Sequence, residues 1–460
     1  MKIHFNIIIG ALVIVLAGLS VRPADAQTRT LRIATQNIEA DINNVTAPLP
    51  GLIAPPGGTT AQGGVVEGLG EENLGGDPAQ PVDILALQET TSNPITVAPI
   101  VNGLNTFYNT PGLYTNSTYQ ATESSGDVAD GNGPNAIIYN TKTVQLLASV
   151  PVDPPGGTGK LGSTYGEYRE VMRYEFAPAG VAPAASNEFY IYVSHYKSGT
   201  SSADLTDRTG EAQIIRNDET SLPATARVLY VGDYNISASS ETSYTDMLTP
   251  KAPNGIAQGQ GIDPFNASGS TSINWAASTT SAALLMTMTE HSYDLEYRDD
   301  FQVMTTNVYY GYPGGLQYVS GTYHTFGNNG TTPYYGSVNS GSDTAFQTNL
   351  VKGAAINAAQ LCLDLTNASD HLPVVADYTI PLPAANLTGA SGLGTNLLLT
   401  AVNGVTGGVY TVFMSANLLT PPANWTAIST NVAAGASFTL TVTNAFSRSR
   451  SAQFFRLQTP

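Results

Sequence analysis

The stretch Ala226–Ile236, ARVLYVGDYNI, carries the pattern that decides the fold. Its first half is a continuous apolar run, which is typical of a β-strand covered on both faces. The run ends at Gly232, and Asp233 and Asn235 follow directly. Taken alone, an aspartate after a glycine is most often an ordinary turn residue. The stretch therefore predicts a buried strand with polar side chains at its exit, and other strands must show whether this ending recurs.

Six further segments have a comparable strand-like composition. They alternate with few helical patterns, of which DRTGEAQIIRNDET (207–220) is the clearest. This alternation predicts a layered α/β domain with stacked sheets. The predicted strands are Leu31–Gln36, Asp83–Leu87, Asn135–Tyr139, Val171–Phe176, Phe189–Ser194, Arg227–Val231 and Leu372–Tyr378.

Acids, amides and imidazoles recur at the ends of these strands. A single such residue is usually a turn or cap residue, and a lone histidine is usually satisfied by its neighbours. Repetition favours a site, because ligands of layered α/β folds gather at one edge of the sheets. A metal-dependent hydrolase needs such a gathering of carboxylates, a base and phosphate donors. The candidates are Asn37, Glu39, Glu89, Tyr168, Glu170, His195, Lys197, Asp233, Asn235, Asp299, Asp300, Asp370 and His371.

Composition limits the classes of partner. The chain has 460 residues, of which 12% are charged, and a formal net charge of −17. This acidity argues against a broad basic surface that binds polyanions. It leaves a nuclease open, because a bound divalent cation supplies positive charge locally. Nucleic-acid binding should then be weak, local and salt-sensitive.

The N-terminus has the features of a secretory signal peptide over residues 1–26. Lys2 precedes the apolar run Ile7–Leu19, and a small-x-small cleavage site ends at Ala26. The expected location is extracellular, with periplasm or cell surface as alternatives. No later segment reaches the length of about 20 apolar residues that a membrane span needs, so stable membrane insertion is not expected. Cys362 is the only cysteine, which excludes an intrachain disulfide and predicts a buried, inert thiol.

Three irregular stretches interrupt the pattern of strands and helices, 48–81, 253–282 and 307–343, of which the first lacks periodicity and is predicted as a long surface loop. The third is rich in tyrosine and could stack on bases or sugars, although ordinary strands and turns are the favoured interpretation. Residues 384–460 read as short β-type runs separated by turns, which predicts a small C-terminal β-sandwich without catalytic residues. This module is expected to aid attachment to a surface or polymer, or stability. Residues 27–383 form the predicted main domain.

The series QN, QE, YRE, SH, GDYN, RDDF and SDHLPV resembles the endonuclease/exonuclease/phosphatase superfamily, which includes deoxyribonuclease I. GDYN alone is a weak signal and SDHLPV is moderately specific, but all seven in order make a strong one. The resemblance covers Leu31 to Tyr378, most of the chain. It implies a four-layered α/β sandwich, in which two stacked mixed β-sheets are flanked by helices.

The resemblance also implies roles for the acids and amides. Glu89 would be the main metal ligand, with Asn37 supporting the metal or the phosphate and Asp370 close to the same site. Asp233 would orient or deprotonate the attacking water, and Asn235 would donate to a phosphate oxygen. Mg²⁺ is the expected ion for an oxygen-rich site, with Mn²⁺ or Ca²⁺ as alternatives.

For the imidazoles, the resemblance implies contact with the scissile phosphate. His195 and His371 would stabilise the charge that develops there in the transition state. Glu170 would orient His195, and Asp300 would orient His371, each raising the imidazole pKa. Asp300 is chosen over its neighbour because the family pattern is arginine, any residue, aspartate, aromatic. Tyr168 would lie near the phosphate.

The motifs YRE and HYKSG resemble those of the secreted nucleases of the superfamily. By this resemblance Lys197 could contact the phosphate, or it could be a solvated surface lysine. Thr90 and Thr91 stand where deoxyribonuclease I-like sequences tend to have an arginine, which weakens the case for minor-groove contact.

The first hypothesis is therefore a secreted, metal-dependent nuclease for DNA or RNA with low sequence preference. The second is a sphingomyelinase-like phosphodiesterase or a phosphatase acting on a small substrate. A catalytically silent binding or attachment protein ranks third. The sequence leaves endo- or exonucleolytic cleavage, the number of metal ions and the oligomeric state open.

Overall fold

The computed structural model describes residues 28–42, 45–46, 61–90, 93–117, 134–152, 171–249, 258–275, 287, 297–312, 314–328, 358–382, 384–405, 408–445 and 453–458. Tyr168, Glu170 and the predicted signal peptide lie outside these residues. The chain divides into two compact units, the larger comprising residues 28–179 and 183–381. The smaller contains residues 382–460 together with 180–182.

The described strands of the larger unit are, in chain order, β1 (Thr28–Asn37), β2 (Asp41–Ile42), β3 (Val45–Thr46), β4 (Ile84–Gln88), β5 (Tyr114–Asn116), β6 (Ala136–Asn140), β7 (Val144–Val152), β8 (Val171–Pro178), β9 (Phe189–His195), β10 (Val228–Asp233), β11 (Gly261–Ile262), β12 (Asp300–Thr305), β13 (Gln317–Tyr318), β14 (His324–Thr325) and β15 (Val374–Pro381). Its described α-helices are α1 (Ala61–Glu71), α2 (Ala98–Phe107), α3 (Ser202–Glu219), α4 (Thr242–Leu248), α5 (Thr306–Tyr309) and α6 (Ala358–Ala368). All seven strands predicted from the sequence are present. None of the described helices has the length and apolar character needed to cross a membrane.

Most of these strands form two mixed sheets. The first has the order β13-β15-β1-β4-β6-β5, with β14 also paired to β15, and the second has the order β11-β12-β10-β9-β8-β7. At the centre of each sheet lies one parallel pair, β1 with β4 and β9 with β10. The antiparallel neighbours β15 and β12 begin where these parallel strands end. Six strand termini therefore meet at one edge of the stacked sheets.

The sheets are stacked through alternating side chains. Ile33 and Leu229 belong to the core between the sheets, whereas Ala34 and Tyr230, one residue further along, belong to the core under the helices. This period of two is what a strand with both faces covered requires. The four-layered α/β sandwich is thus confirmed.

Side-chain hydrogen bonds tie the outer helices to the sheets. On the first sheet, Arg32 donates to the Leu69 carbonyl oxygen of α1 at 2.8 Å. On the second, the Tyr192 hydroxyl donates to Asp218 of α3 at 2.6 Å, and Arg173 pairs with the same carboxylate. Each sheet therefore has its own helical layer.

The prediction of a loop over residues 48–81 is wrong for Ala61–Glu71, which forms the buried helix α1. Glycine-rich AQGGVVEGLGE lacks the side chains whose periodicity would indicate a helix, and glycine disfavours helices locally by about 1 kcal/mol. The same glycines permit close packing. A Cβ on Gly68 would lie 2.9 Å from both Cδ atoms of Leu361 in α6. Tertiary contact rather than local propensity therefore holds this helix.

The described part of the tyrosine-rich stretch forms α5, β13, β14 and turns. Tyr309 stacks on Tyr318 with ring centroids 5.8 Å apart, and Tyr323 is buried. Gln317 pairs with Thr379, near the end of β15 that lies away from the six strand termini. These tyrosines pack the far edge of the first sheet.

The smaller unit contains the described strands β16 (Asn386–Leu393), β17 (Asn396–Val402), β18 (Val409–Ser415), β19 (Thr426–Val432), β20 (Phe438–Val442) and β21 (Phe454–Gln458). They form two three-stranded antiparallel sheets, β16-β17-β20 and β19-β18-β21. Leu399 and Leu440 of one sheet share a core with Tyr410 and Val412 of the other. The predicted small β-sandwich is confirmed.

One glycine is required where the parallel strands β9 and β10 approach each other. Gly232 has φ +141°, and a Cβ there would lie 1.9 Å from the carbonyl oxygen of Ser194. We expect Gly232→Ala to lower the free energy of unfolding by about 3 kcal/mol or more, because strain and a backbone clash combine. Gly269 has φ +67° but open space around its Cβ position. Gly269→Ala is the control, with an expected loss of about 1 kcal/mol. If urea denaturation gave equal losses of unfolding free energy for Gly232→Ala and Gly269→Ala, the clash at Gly232 would be contradicted.

Candidate functional site

The six strand termini bring most of the predicted site residues together. Asp233 at the end of β10 is in register with His195 at the end of β9 and with Asp300 at the start of β12. The ends of β1 and β4 deliver further polar residues from the other sheet, and the turn before β15 delivers the last ones. The residues that meet here are Asn37, Glu89, His195, Asp233, Asp300, Asp370 and His371.

An asparagine joins two carboxylates at the centre of the site. Asn37 Nδ2 donates to Glu89 Oε1 and to Asp233 Oδ2, each at 3.0 Å. The Asn37 side-chain oxygen accepts the backbone N–H of Glu39 at 3.0 Å. Asn37 is fully buried. It therefore holds carboxylates from two sheets side by side through its amide nitrogen.

His195 lies against the same two carboxylates. Its Nε2 is 3.6 Å from Glu89 Oε1 and 3.4 Å from Asp233 Oδ2. One ligand atom from each of the three residues lies within 4.8 Å of the others, and no other described cluster of acids, histidines and cysteine meets this criterion. These three side chains could hold a metal ion. His195, predicted from the resemblance as a phosphate contact, is thus placed as a potential ligand too.

Glu89 has a raised pKa in this setting. Burial raises the pKa of Glu89 to about 8, and Asp233 and Asp370 add to the rise. The hydrogen bond from Asn37 and the charge of His371 act in the opposite direction. Carboxylates packed in this way repel one another, and a cation between them would remove that repulsion.

The second imidazole is held by a carboxylate. His371 Nδ1 donates to Asp300 Oδ2 at 2.7 Å, so Asp300 is the acid of RDDF that pairs with histidine. His371 Nε2 lies 3.8 Å from Asp233 Oδ2 and 3.7 Å from Asp370 Oδ1. Burial alone would lower the pKa of His371, but Asp300, Asp370 and Asp233 together raise it well above the usual range. These carboxylates therefore favour the imidazolium form, with its Nε2 on the side of the carboxylate centre.

Asp370 reaches the site through a turn that two further residues stabilise. Its backbone N–H donates to Glu39 Oε2 at 2.9 Å. The Ser369 hydroxyl donates to the Asn37 carbonyl oxygen at 2.8 Å and accepts from the His371 N–H at 3.0 Å. Sequence reasoning placed Glu39 at a strand exit but gave it no role, and it did not single out Ser369. The serine of SDHLPV was the available signal.

Three residues beside the site adopt a left-handed backbone. Glu39, Glu89 and Asn235 have φ values of +50°, +54° and +49°. Such a conformation costs a non-glycine residue of order 1–3 kcal/mol and concentrates at functional sites. The turns after β1, β4 and β10 are therefore shaped to present these side chains.

Asn235 is fixed by its neighbours. Its backbone N–H donates to Asp233 Oδ1 and its Nδ2 donates to the Tyr196 carbonyl oxygen, each at 3.0 Å. The amide thus links the turn after β10 to the turn after β9. In this arrangement Asn235 orients Asp233 directly.

Arg208 anchors the loop that follows His195. It is fully buried, donates to the carbonyl oxygens of Lys197 and Gly199, and pairs with Glu241 at 2.9 Å. Lys197 Nζ lies 3.9 Å from Asp204 Oδ1 near the start of α3. The arginine therefore acts on the loop rather than facing the carboxylate centre.

Fold and site together define a class: a four-layered α/β sandwich with a carboxylate and imidazole site at the meeting edge of its sheets. No family model and no curated protein sequence matches the chain. Solved structures are similar in overall structure. The human Nocturnin catalytic domain with bound sulfate is 13% identical, with a TM-score of 0.40 and coverage of 77% of this chain and 97% of that one.

Two further solved structures have comparable values. An endonuclease/exonuclease/phosphatase from Bacteroides vulgatus is 14% identical, with a TM-score of 0.40 and coverage of 76% of this chain and 98% of that one. D. rerio TDP2, complexed with single strand DNA product, is 13% identical, with a TM-score of 0.38 and coverage of 76% and 98%.

Proposed function

We propose that the protein is a divalent-metal-dependent phosphoester hydrolase, and specifically a secreted nuclease that cuts DNA, and RNA as a second substrate, with low sequence preference. One observation carries the proposal. A cluster of Glu89, His195 and Asp233 lies beside His371, whose Nδ1 donates to Asp300 and whose pKa the surrounding carboxylates raise. Metal ligands, a base and a cationic donor are the groups that phosphodiester hydrolysis requires.

Glu89, Asp233 and His195 would hold the metal ion, with Asn37 and Asp370 close to it. The donor set is rich in carboxylate oxygen, which favours Mg²⁺ and also accommodates Mn²⁺. Burial, with Asp233 and Asp370 nearby, raises the pKa of Glu89 to about 8, and a cation here would favour its carboxylate form. When bound, the ion would polarise the phosphoryl group and neutralise its charge.

The protein's own groups supply the rest of the reaction. Asp233 is positioned by donors from Asn37 and from the Asn235 N–H, so its carboxylate can orient water and accept its proton. The water oxygen forms the new bond to phosphorus, and the bond to the leaving oxygen breaks with its electron pair on that oxygen, which takes up a proton from solvent. His371 Nε2 would donate to a phosphate oxygen, because Asp300 occupies Nδ1. Asp233 thus serves both the metal ion and the attacking water, and His371 serves the phosphate.

The surface around this site constrains the substrate. The net charge of −17 predicts weak, salt-sensitive binding of a polyanion. At the position where related nucleases tend to have an arginine, Thr90 is buried and its hydroxyl donates to the Pro134 carbonyl oxygen at 2.6 Å. Thr90 therefore offers no contact to DNA. This observation favours a second candidate function, hydrolysis of a small phosphoester or of sphingomyelin.

The first experiment is nicking of supercoiled plasmid with Mg²⁺ and with chelator. We expect nicking that requires the metal and falls by about 10²–10⁴-fold in His371→Ala, because the donor to the phosphate is lost. His324→Ala is the matched control, since His324 pairs with Glu72 at 3.0 Å and lies outside the site. Metal-independent nicking would contradict the proposal. A folded wild-type protein without nicking would contradict the nuclease, and sphingomyelin and small phosphate esters would then test the second candidate.

Secretion is part of the same proposal and rests on the N-terminal sequence. Sequencing the N-terminus of protein collected from the medium should give Gln27 as the first residue. Full-length protein retained in cells would overturn it. The C-terminal sandwich is proposed to serve attachment or stability rather than chemistry, and its sequence contains no histidine.

A further inference from the structure

Thr287 links the strand that carries Asp300 to the strand that follows His371. Its hydroxyl oxygen accepts the backbone N–H groups of Asp299 and Asp300, at 3.0 and 3.1 Å. Its own N–H donates to the Tyr297 carbonyl oxygen at 2.7 Å, and its carbonyl oxygen accepts the Leu372 N–H at 2.6 Å. Thr287 is fully buried. Four hydrogen bonds thus join Thr287 to Tyr297, Asp299 and Asp300 on one side and to Leu372, the residue after His371, on the other.

We propose that Thr287 is the positioning residue of the Asp300–His371 pair. This inference deepens the proposed function, on which it rests for its catalytic consequence. The pair joins β12 of the second sheet to the turn before β15 of the first sheet. No backbone ladder runs between stacked sheets, so another connection must set the distance between carboxylate and imidazole. Thr287 supplies that connection through a single residue.

The chemistry of the side chain suits this task. A hydroxyl oxygen has two acceptor lone pairs, and here they receive two consecutive N–H groups at the start of β12. Valine has nearly the same shape but accepts no hydrogen bond, so it would leave both buried N–H groups unsatisfied. The peptide between Asp299 and Asp300 would then be held on its carbonyl side alone, by the Tyr234 N–H at 2.7 Å. The Asp300 carboxylate would lose its fixed direction towards His371 Nδ1.

The mechanism predicts a specific kinetic signature. Misplacing a catalytic group by about 1 Å can cost about 10²-fold in rate. We expect Thr287→Val to lower kcat for plasmid nicking by about 10- to 100-fold with KM changed less than about 3-fold, because the pair acts on the transition state. Thr287→Ser keeps the hydroxyl and should keep kcat within about 3-fold of wild type.

A readout independent of activity separates this inference from the nuclease proposal. The Nδ1 proton of His371 that is hydrogen-bonded to Asp300 should give a low-field proton NMR signal, assigned by its absence in His371→Ala. Thr287→Val should lose or shift the signal, and Thr287→Ser should retain it. Wild-type protein that shows the signal but cuts no substrate would refute the hydrolase, not the positioning role.

Two outcomes would overturn the positioning role. One is Thr287→Val with the wild-type signal and wild-type kcat. The other is Thr287→Ser with kcat lowered as far as in Thr287→Val, which would show that packing of the methyl group matters and the hydroxyl does not. If the valine variant does not fold, Thr287→Ser with kcat lowered by about 10-fold or more overturns the role by itself.

Discussion

Replacing Asp233 with asparagine should lower kcat/KM for plasmid nicking by about 10³–10⁴-fold or more, because one carboxylate serves two purposes. It belongs to the cluster with Glu89 and His195, and it is the proposed base for the attacking water. Asparagine keeps the volume of the side chain and one oxygen acceptor. It removes the negative charge and the ability to accept a proton.

The same substitution should leave the metal-free fold nearly unchanged. Asp233 contributes to the crowding that raises the pKa of Glu89, so its neutralisation relieves repulsion between carboxylates. We expect Tm in chelator to stay within about 1–2 °C of wild type, which corresponds to about 1 kcal/mol. Mg²⁺ should raise the Tm of wild type and fail to raise that of Asp233→Asn, because binding to the native state alone stabilises it.

The control for this experiment is Asp246→Asn on α4, where the carboxylate accepts from Gln213 at 3.1 Å on the surface. It should keep full activity and the full response to Mg²⁺. Retention of more than about a tenth of wild-type kcat/KM by Asp233→Asn would contradict both roles assigned to Asp233.

The largest loss of stability is expected for Asp263→Asn. Asp263 forms a two-point ion pair with Arg298, with distances of 2.7 and 2.9 Å. It also accepts the Tyr244 hydroxyl at 2.8 Å, and both charged side chains are buried. Arg298 would be left with an uncompensated charge among Phe265, Trp275 and Phe301. Removing one partner of a buried pair costs about 3–5 kcal/mol.

Urea denaturation of the single variant and of a double variant tests this expectation. Arg298→Met combined with Asp263→Leu should recover most of the loss, because an apolar pair leaves no buried charge behind. A loss below about 1 kcal/mol in Asp263→Asn would show that water or another group compensates Arg298. Arg298 directly precedes Asp299 and Asp300, so Asp263→Asn should also reduce activity at temperatures where the protein remains folded.

The elements of the fold could largely be predicted from local pattern. Continuous apolar runs identified the strands, and polar residues at their ends identified most of the site, because strand termini in layered α/β folds meet at one edge. Boundaries moved by a few residues, as for β1, which runs from Thr28 to Asn37 where Leu31–Gln36 was predicted. Helix α1 was missed, because its glycines hide the helical period and only packing against Leu361 stabilises it.

What the sequence by itself determined is therefore which residue types stand at which strand ends. The tertiary structure decided which of them touch. His195 lies with Glu89 and Asp233 in the potential metal cluster, and Asn37 turns its amide nitrogen to the carboxylates. Distances of this kind depend on how two separate sheets are placed on each other.

Single polar residues help to set that placement. Gln302 of the second sheet donates to the carbonyl oxygens of Ile33 and Val374 in the first, at 3.0 and 2.7 Å. Thr287 makes the corresponding connection at the site. Neither residue has a local sequence signal, because its partners lie far away along the chain. Their function arises only when folding removes water from the space between the sheets and each buried N–H and C=O must find a partner.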